Sequence, residues 1–415
     1  MKIALVSIGT RGDIEPFVAL GELLKANGHE VLCAFPEQFA TLATQAGLEF
    51  ESLGKKFIEL LESEDGKAAM GGASGWKKFM GTLRLAMNQS AANREIVFKQ
   101  EKVISKFNPD RILYSAKALY PHLWHLKTGR KIVFISPLPY MHYVKGHTHM
   151  AFNSNFGEFF NKLTFALTEF GMIVTIRNNA KWLKINDKLK GSEIREILRE
   201  GSSIYTISPS LFKRPAYWPE SLHVLGHHQK KLNQGQRLPA ELQSFIDRHD
   251  KILMITFGSM SNSQPAKKTQ IILDILLRNK IPAIINTAAG GLVKPPGFDN
   301  PNIFFTKQLP YELVFPQIYG AIHHGGSGTT HLALKYGCAS MIIPHIMDQF
   351  VWNKILAERG VGPLGVSISK VSTSSLEPKI LALHRNPQFK ERAEAIQTQM
   401  AQEDFKEDLL TEITQ

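Results

Sequence analysis

Residues 2–13 read Lys2-Ile3-Ala4-Leu5-Val6-Ser7-Ile8-Gly9-Thr10-Arg11-Gly12-Asp13. The apolar run from Ile3 to Ile8 ends in glycine and a polar turn, as a buried parallel strand does. Phe17, Leu20, Leu23 and Leu24 then recur at helical spacing, predicting a helix from about Pro16 to Ala26 that Asn27-Gly28 stops. Glu30 to Phe35 reads as a second strand. Strand, helix and strand in that order form a βαβ unit. It implies a parallel sheet with right-handed crossovers.

The pattern continues outward. Arg111–Tyr114, Ile132–Ser136 and Ser203–Ile207 read as further strands, and the aromatic-rich stretch 140–200 as mainly helical. The proline-rich segment Ser208–Pro219 interrupts the alternation and reads as a domain connection. Alternation then restarts. Strands are expected at Ile252–Phe257, Ala283–Asn286, Ile303–Thr306, Ala321–His323 and Ser340–Ile343, with a helix over 266–279. Two doubly wound α/β domains are therefore expected. Ligands should bind at the carboxyl ends of the strands, in a cleft between the domains.

Composition agrees. A chain of 415 residues suits two domains. With 43% hydrophobic and 21% charged residues it is neither disordered nor collagen-like. Cys33 and Cys338 form no C-x-x-C and are too few for a disulfide framework. The 49 basic and 37 acidic side chains give a formal charge of +12. Residues 1–50 and 401–415 nevertheless carry an acidic excess. Lysine pairs such as Lys55-Lys56 and Lys267-Lys268 stand alone, and no helix-turn-helix, zinc-finger or RNA-binding signature occurs. Nucleic-acid binding is not expected. The N-terminus lacks a signal-peptide pattern. No segment reads as the roughly 20 apolar residues of a membrane span. The nearest, Phe165–Ile176, contains Thr168 and Glu169. A cytoplasmic chain with peripheral membrane contact left open is the expectation.

The most informative segment is Ala321-Ile322-His323-His324-Gly325-Gly326-Ser327-Gly328-Thr329-Thr330. It follows a short strand and opens a helix. Glycines allow close backbone approach, and a helix start offers free N–H groups and a positive dipole end. In physical terms this is a phosphate-binding arrangement, although such a turn by itself also serves purely structural ends. It matches neither G-x-x-x-x-G-K-[ST] nor G-x-G-x-x-G. Farther on, Asp348-Gln349 pairs a carboxylate with an amide at a strand's carboxyl end, suited to sugar hydroxyls.

The run 323–329, Pro344 with Asp348-Gln349, and Gly360-Val361-Gly362 together resemble the donor signature of the family-1, UDP-sugar-dependent glycosyltransferases. Gly9-Thr10-Arg11-Gly12-Asp13-Ile14-Glu15-Pro16 resembles the opening loop of their sterol and bacterial natural-product branch. The resemblance implies a GT-B fold: two facing Rossmann-like domains, an acceptor domain over 1–215, a nucleotide-sugar domain over 216–387, and a C-terminal helix in 388–415 returning to the first.

It also implies roles. His323 or His324, with Gly325, Gly326, Ser327, Gly328 and Thr329, would meet the donor diphosphate. Ser259 matches a family serine near it. Gln308 and Leu309 fall where the uracil-binding segment lies, without the tryptophan of plant members. Asp348 and Gln349 would bind the transferred sugar. Asp13, three residues before Pro16, occupies the place of the family's catalytic base. There it would deprotonate an acceptor hydroxyl for inverting transfer of a hexose, glucose being expected, to give a β-glycoside. A capping role at the following helix is the alternative, and Arg11 is a candidate partner. No D-x-D pair lies near the sheet ends, so no metal is expected. The UDP-sugar is a co-substrate, and no cofactor is implied.

Trp76, Phe79, Met80, Pro137, Tyr140 and Met141 are candidates to line a pocket for a lipophilic acceptor such as a sterol, flavonoid, polyketide or macrolide. Packing in an amphipathic-helix core is the more common role of such residues. His147 and His149 have H-x-H spacing without a third ligand and read, with His142, as a surface loop. Two rival readings share the fold: a UDP-sugar 2-epimerase and a non-catalytic accessory protein.

Overall fold

The computed structural model describes residues 1–56, 59, 93–152, 154–185, 189–229 and 237–415. They form two compact units.

The first unit holds a seven-stranded, fully parallel sheet in the order β3-β2-β1-β4-β5-β6-β7. Its strands are β1 (Lys2–Val6), β2 (Glu30–Phe35), β3 (Glu49–Ser52), β4 (Arg111–Tyr114), β5 (Ile132–Ser136), β6 (Ser203–Tyr205) and β7 (Leu222–Val224). Alternation along β1 sends Ile3 and Leu5 into one core layer and Ala4 and Val6 into the other, so the strand is buried on both faces. Helix α1 (Arg11–Ala26) follows β1 and begins a turn before the Pro16 start expected from sequence. Thr10 and Asp13 form a capping box there, which nucleates the helix and leaves Pro16 inside it. Helix α2 (Glu158–Trp182) is the longest described helix of this unit.

The second unit holds a parallel sheet ordered β10-β9-β8-β11-β12. Its strands are β8 (Leu253–Thr256), β9 (Ala283–Asn286), β10 (Ile303–Thr306), β11 (Gly320–His323) and β12 (Ala339–Ile342). Helix α3 (Ser327–Lys335) follows β11, and α4 (Asp348–Glu358) follows β12. Helix α5 (Pro387–Ala401) packs on α3 and β12 in this same unit.

Helix α6 (Lys406–Thr414) belongs to the first unit. Leu409 and Ile413 sit in its core beside Ile3 and Leu5. The Arg111 guanidinium donates to the Ile413 carbonyl at 2.8 Å, and Lys131 lies 3.3 Å from Glu412.

Two boundaries differ from the sequence expectation. The first unit does not end at 215, because the proline-rich stretch leads into edge strand β7. Arg214 pins the stretch by donating to the carbonyls of Leu222, Trp218 and Pro219. The returning segment begins at Asp404 rather than 388, because α5 stays with the second unit.

The histidine loop is also corrected. His149 is buried and His142 half-buried rather than superficial: His142 Nδ1 meets the Tyr205 hydroxyl at 2.7 Å, and His149 packs edge-on against Phe165.

Candidate functional site

Both sheets have a topological switch point where the strand order reverses, and ligands of open α/β sheets bind at such points. In the second unit it lies between β8 and β11. Gly258 and Ser259 leave β8 there, and His323 and His324 leave β11.

The β11 end is built from the backbone upward. Gly325 has φ +96°, a left-handed conformation that favours glycine, and its N–H donates to His323 Nδ1 at 3.2 Å. That bond fixes the tautomer, leaving the proton on Nε2. His323 Nε2 is buried and has no partner within the protein. His324 lies between two glycines. A Cβ on Gly258 would come within 2.8 Å of its ring, and one on Gly326 within 2.6 Å. Its Nδ1 is likewise buried and unpartnered. His345, just past β12, bonds the Ile343 carbonyl through Nδ1 at 3.0 Å and leaves Nε2 unpartnered.

Three buried imidazoles with unmet ring nitrogens thus crowd the carboxyl ends of β11 and β12. Burial of this kind is costly unless something completes the hydrogen bonds. His345 was absent from the sequence-based site. Its only available signal was its place after a strand.

Helix α3 starts at Ser327, directly after the glycines. The Ser327 hydroxyl lies 3.3 Å from His331 Nδ1, and a Cβ on Gly328 would meet open space. Thr329 is half-buried. The unpaired N–H groups of this first turn and the helix dipole favour an anion.

Other expected donor residues are more dispersed. Ser259 and Gln308 are exposed, and Leu309 packs into the unit's core. Asp348 opens α4 after Met347, whose φ of +35° is strained for a non-glycine residue. Gln349 is held through its amide oxygen. Its Oε1 accepts the backbone N–H groups of His345 at 2.7 Å and Ile346 at 3.2 Å. The amide oxygen is therefore turned inward, where it holds the His345 loop.

In the first unit the switch point lies between β1 and β4. Asp13 Oδ2 accepts the Thr10 N–H at 2.8 Å and its hydroxyl at 3.2 Å. Gly9 makes room, since a Cβ there would collide with the Asp13 carboxylate. Lys117, which follows β4, reaches both carboxylate oxygens at 3.2 and 3.3 Å. Arg11 does not take that place: it pairs with Glu15 at 2.7 Å. Sequence reading missed Lys117, which lies 104 residues from Asp13.

Among the acceptor candidates, Pro137 and Tyr140 are buried and Met141 is half-buried. Tyr140 stacks on His147 with centroids 4.3 Å apart. Trp76, Phe79 and Met80 lie outside the described residues. No group of three or more metal-binding side chains occurs among the described residues.

Burial pushes His323 and His324 down to about 3 and His345 to about 4, from an ordinary 6.5. Burial also brings His122, His142, His149 and His331 to about 4. Below pH 6.5 the unfolded chain takes up protons that the folded chain refuses. Stability is therefore full above about pH 6.5 and falls as the pH drops toward 4, by up to about 1.4 kcal/mol per pH unit for each histidine. The melting temperature is expected to be several degrees lower at about pH 5 than at about pH 7.5. A melting temperature constant over that range would contradict this burial.

Sequence and structure comparisons address the same two sheets. Residues 3–116 match the glycosyltransferase family 28 N-terminal domain, and residues 297–414 match the erythromycin biosynthesis protein CIII-like C-terminal domain. A crystal structure of the kitacinnamycin glycotransferase superposes with TM-score 0.73 at 14% identity, covering 99% of both chains. The glycosyltransferase VinC in complex with DTDP superposes with TM-score 0.66 at 16% identity, covering 100% of this chain and 98% of that one. A sterol 3-beta-glucosyltransferase of Arabidopsis thaliana is 28% identical over 97% of this chain and 64% of its own length.

The chain has the GT-B fold.

A further relative of this GT-B chain, the sterol 3-beta-glucosyltransferase of Saccharomyces cerevisiae, is 25% identical over 97% of this chain. The GT-B chain spans 34% of that relative's length, as against 64% of the Arabidopsis protein's.

Proposed function

We propose that the chain is a UDP-sugar-dependent, inverting glycosyltransferase. In this reading it moves a hexose, with glucose first among candidates, to a hydroxyl of a lipophilic acceptor, with sterols ahead of flavonoids, polyketides and macrolides. The observation that carries the reading is the set of unpartnered buried ring nitrogens on His323, His324 and His345 beside the start of α3. A diphosphate supplies the acceptors these groups lack, and departing UDP develops negative charge that such donors stabilise. The sterol 3-beta-glucosyltransferase relatives support the choice of donor and acceptor.

In this mechanism Asp13 takes the proton of the acceptor hydroxyl as its oxygen attacks the anomeric carbon. The C–O bond to UDP breaks on the opposite side, and configuration inverts. The Thr10 bonds and Lys117 hold the carboxylate in one orientation. His323 donates from Nε2 to the diphosphate, and Asp348 accepts sugar hydroxyls.

Incubation of the full chain with UDP-glucose and a sterol or simple phenol, read by mass spectrometry, is expected to give acceptor carrying one hexose and an equal amount of UDP. Isomerised UDP-sugar formed without acceptor would instead identify an epimerase. Absence of turnover with every nucleotide sugar tried, together with intact UDP binding, would identify an accessory protein.

A further inference from the structure

Helix α2 runs against the expectation that no segment is long and apolar enough to cross a bilayer. It has 25 residues and meets both criteria. Only 22% of its most apolar stretch is buried. A core helix would be mostly buried, and a surface helix would turn its polar face outward.

The first half of α2 has the reverse polarity. Asn161 and Thr164 face inward, where Asn161 donates to the Gly146 carbonyl at 3.2 Å and the Thr164 hydroxyl accepts the His149 N–H at 2.9 Å. Phe159, Leu163, Leu167, Phe170 and Val174 face solvent at 76, 43, 54, 62 and 40% exposure. Their spacing of four, four, three and four residues places them on one stripe of an α-helix. Phe160, 58% exposed, flanks it. The inner face packs Ile173, Ile176 and Ala180 into the unit's core, so the helix is anchored along its length and is not free to insert end-on.

Charge identifies what the stripe fits. It is continued at its C-terminal end by exposed Arg177 and Lys181, with exposed Lys184 just beyond. The helix's two carboxylates lie off the stripe. Glu169 is held by Arg195 at 2.9 Å and Arg199 at 2.5 Å, and Glu158 lies 3.9 Å from Lys145. An apolar stripe ending in cations, with the helix's own two acids facing cations off the stripe, complements a bilayer surface with acyl chains below and anionic headgroups above.

We infer that the outer face of α2 is a membrane-docking surface. It lies in the plane of an anionic lipid bilayer with Phe159, Leu163, Leu167 and Phe170 at the acyl boundary. This goes beyond the proposed transferase activity and does not depend on it.

The test is co-sedimentation of the full chain with vesicles. Binding is expected with vesicles of roughly equal phosphatidylcholine and phosphatidylglycerol. It should weaken in phosphatidylcholine alone and in high salt. Phe159→Asp and Phe170→Asp should each lower bound protein by about tenfold or more, and both variants should melt as the parent does. Hydrogen exchange on the unmodified chain gives a readout independent of the variants: residues 156–174 should become protected only when vesicles are added. The inference is overturned if the chain stays in the supernatant with every vesicle composition. It is also overturned if 156–174 are already protected without lipid and vesicles add nothing, or if Phe170→Asp dissolves a dimer that binds no vesicles.

Discussion

Asp13→Asn is expected to melt like the parent chain and to lose sugar transfer by about 10²–10⁴-fold. The asparagine oxygen can still accept the Thr10 N–H that now bonds Asp13 at 2.8 Å, so the start of α1 keeps its cap. What the variant cannot do is accept a proton. Asp13→Ala is less informative, because it also removes the cap at a cost of about 1 kcal/mol. Lys117→Met isolates the other half of the arrangement. It breaks a partly exposed ion pair and keeps the carboxylate, so transfer should stay within about tenfold of the parent. Undiminished turnover in Asp13→Asn would assign Asp13 to helix capping alone and require another base.

His323→Phe is the second large effect. The substitution keeps an aromatic ring in a fully buried place but removes the Nε2 donor and leaves the Gly325 N–H without its 3.2 Å acceptor. Loss of one preorganised donor to a developing anion costs about 10²–10³-fold in kcat. UDP affinity, measured by calorimetry, should fall by about tenfold or more, because a charge-assisted hydrogen bond of about 1.5–3 kcal/mol is lost. Unchanged UDP binding in a folded His323→Phe would remove His323 from the donor site. His345→Phe would then be the next variant, since its unmet Nε2 has no other assigned purpose.

The strands were legible because β1 and β8 are buried on both faces, and such strands announce themselves as continuous apolar runs. Ile3–Val6 and Leu253–Thr256 do this. The end of the first unit was not legible. Prolines around Arg214 look like a linker locally, and it is the pairing of β7 with β6, with Arg214 bonding carbonyls a few residues ahead, that shows otherwise. The glycine-rich loop after β11 was readable because its left-handed turn at Gly325 and close approach at Gly326 are features that glycine advertises. The inward bonds of Gln349 were not legible, because the direction of an amide depends on which backbone donors the fold brings near it. The outward stripe of α2 was hidden for another reason. An apolar period of about 3.6 residues is the same whether the face meets a core or solvent, and only burial separates the two cases.

Strand β1 and helix α6 both lie in the first unit, because α6 packs back into the core that β1 began. Among the described residues the second unit is therefore an insertion in the first, entered after residue 229 and left before 404. An exchange of the second unit between proteins of this fold needs two junctions rather than one. A chimera that takes everything downstream of a single crossover would also import a foreign Leu409 and Ile413 into the first unit's core. Its first defect would be loss of folding.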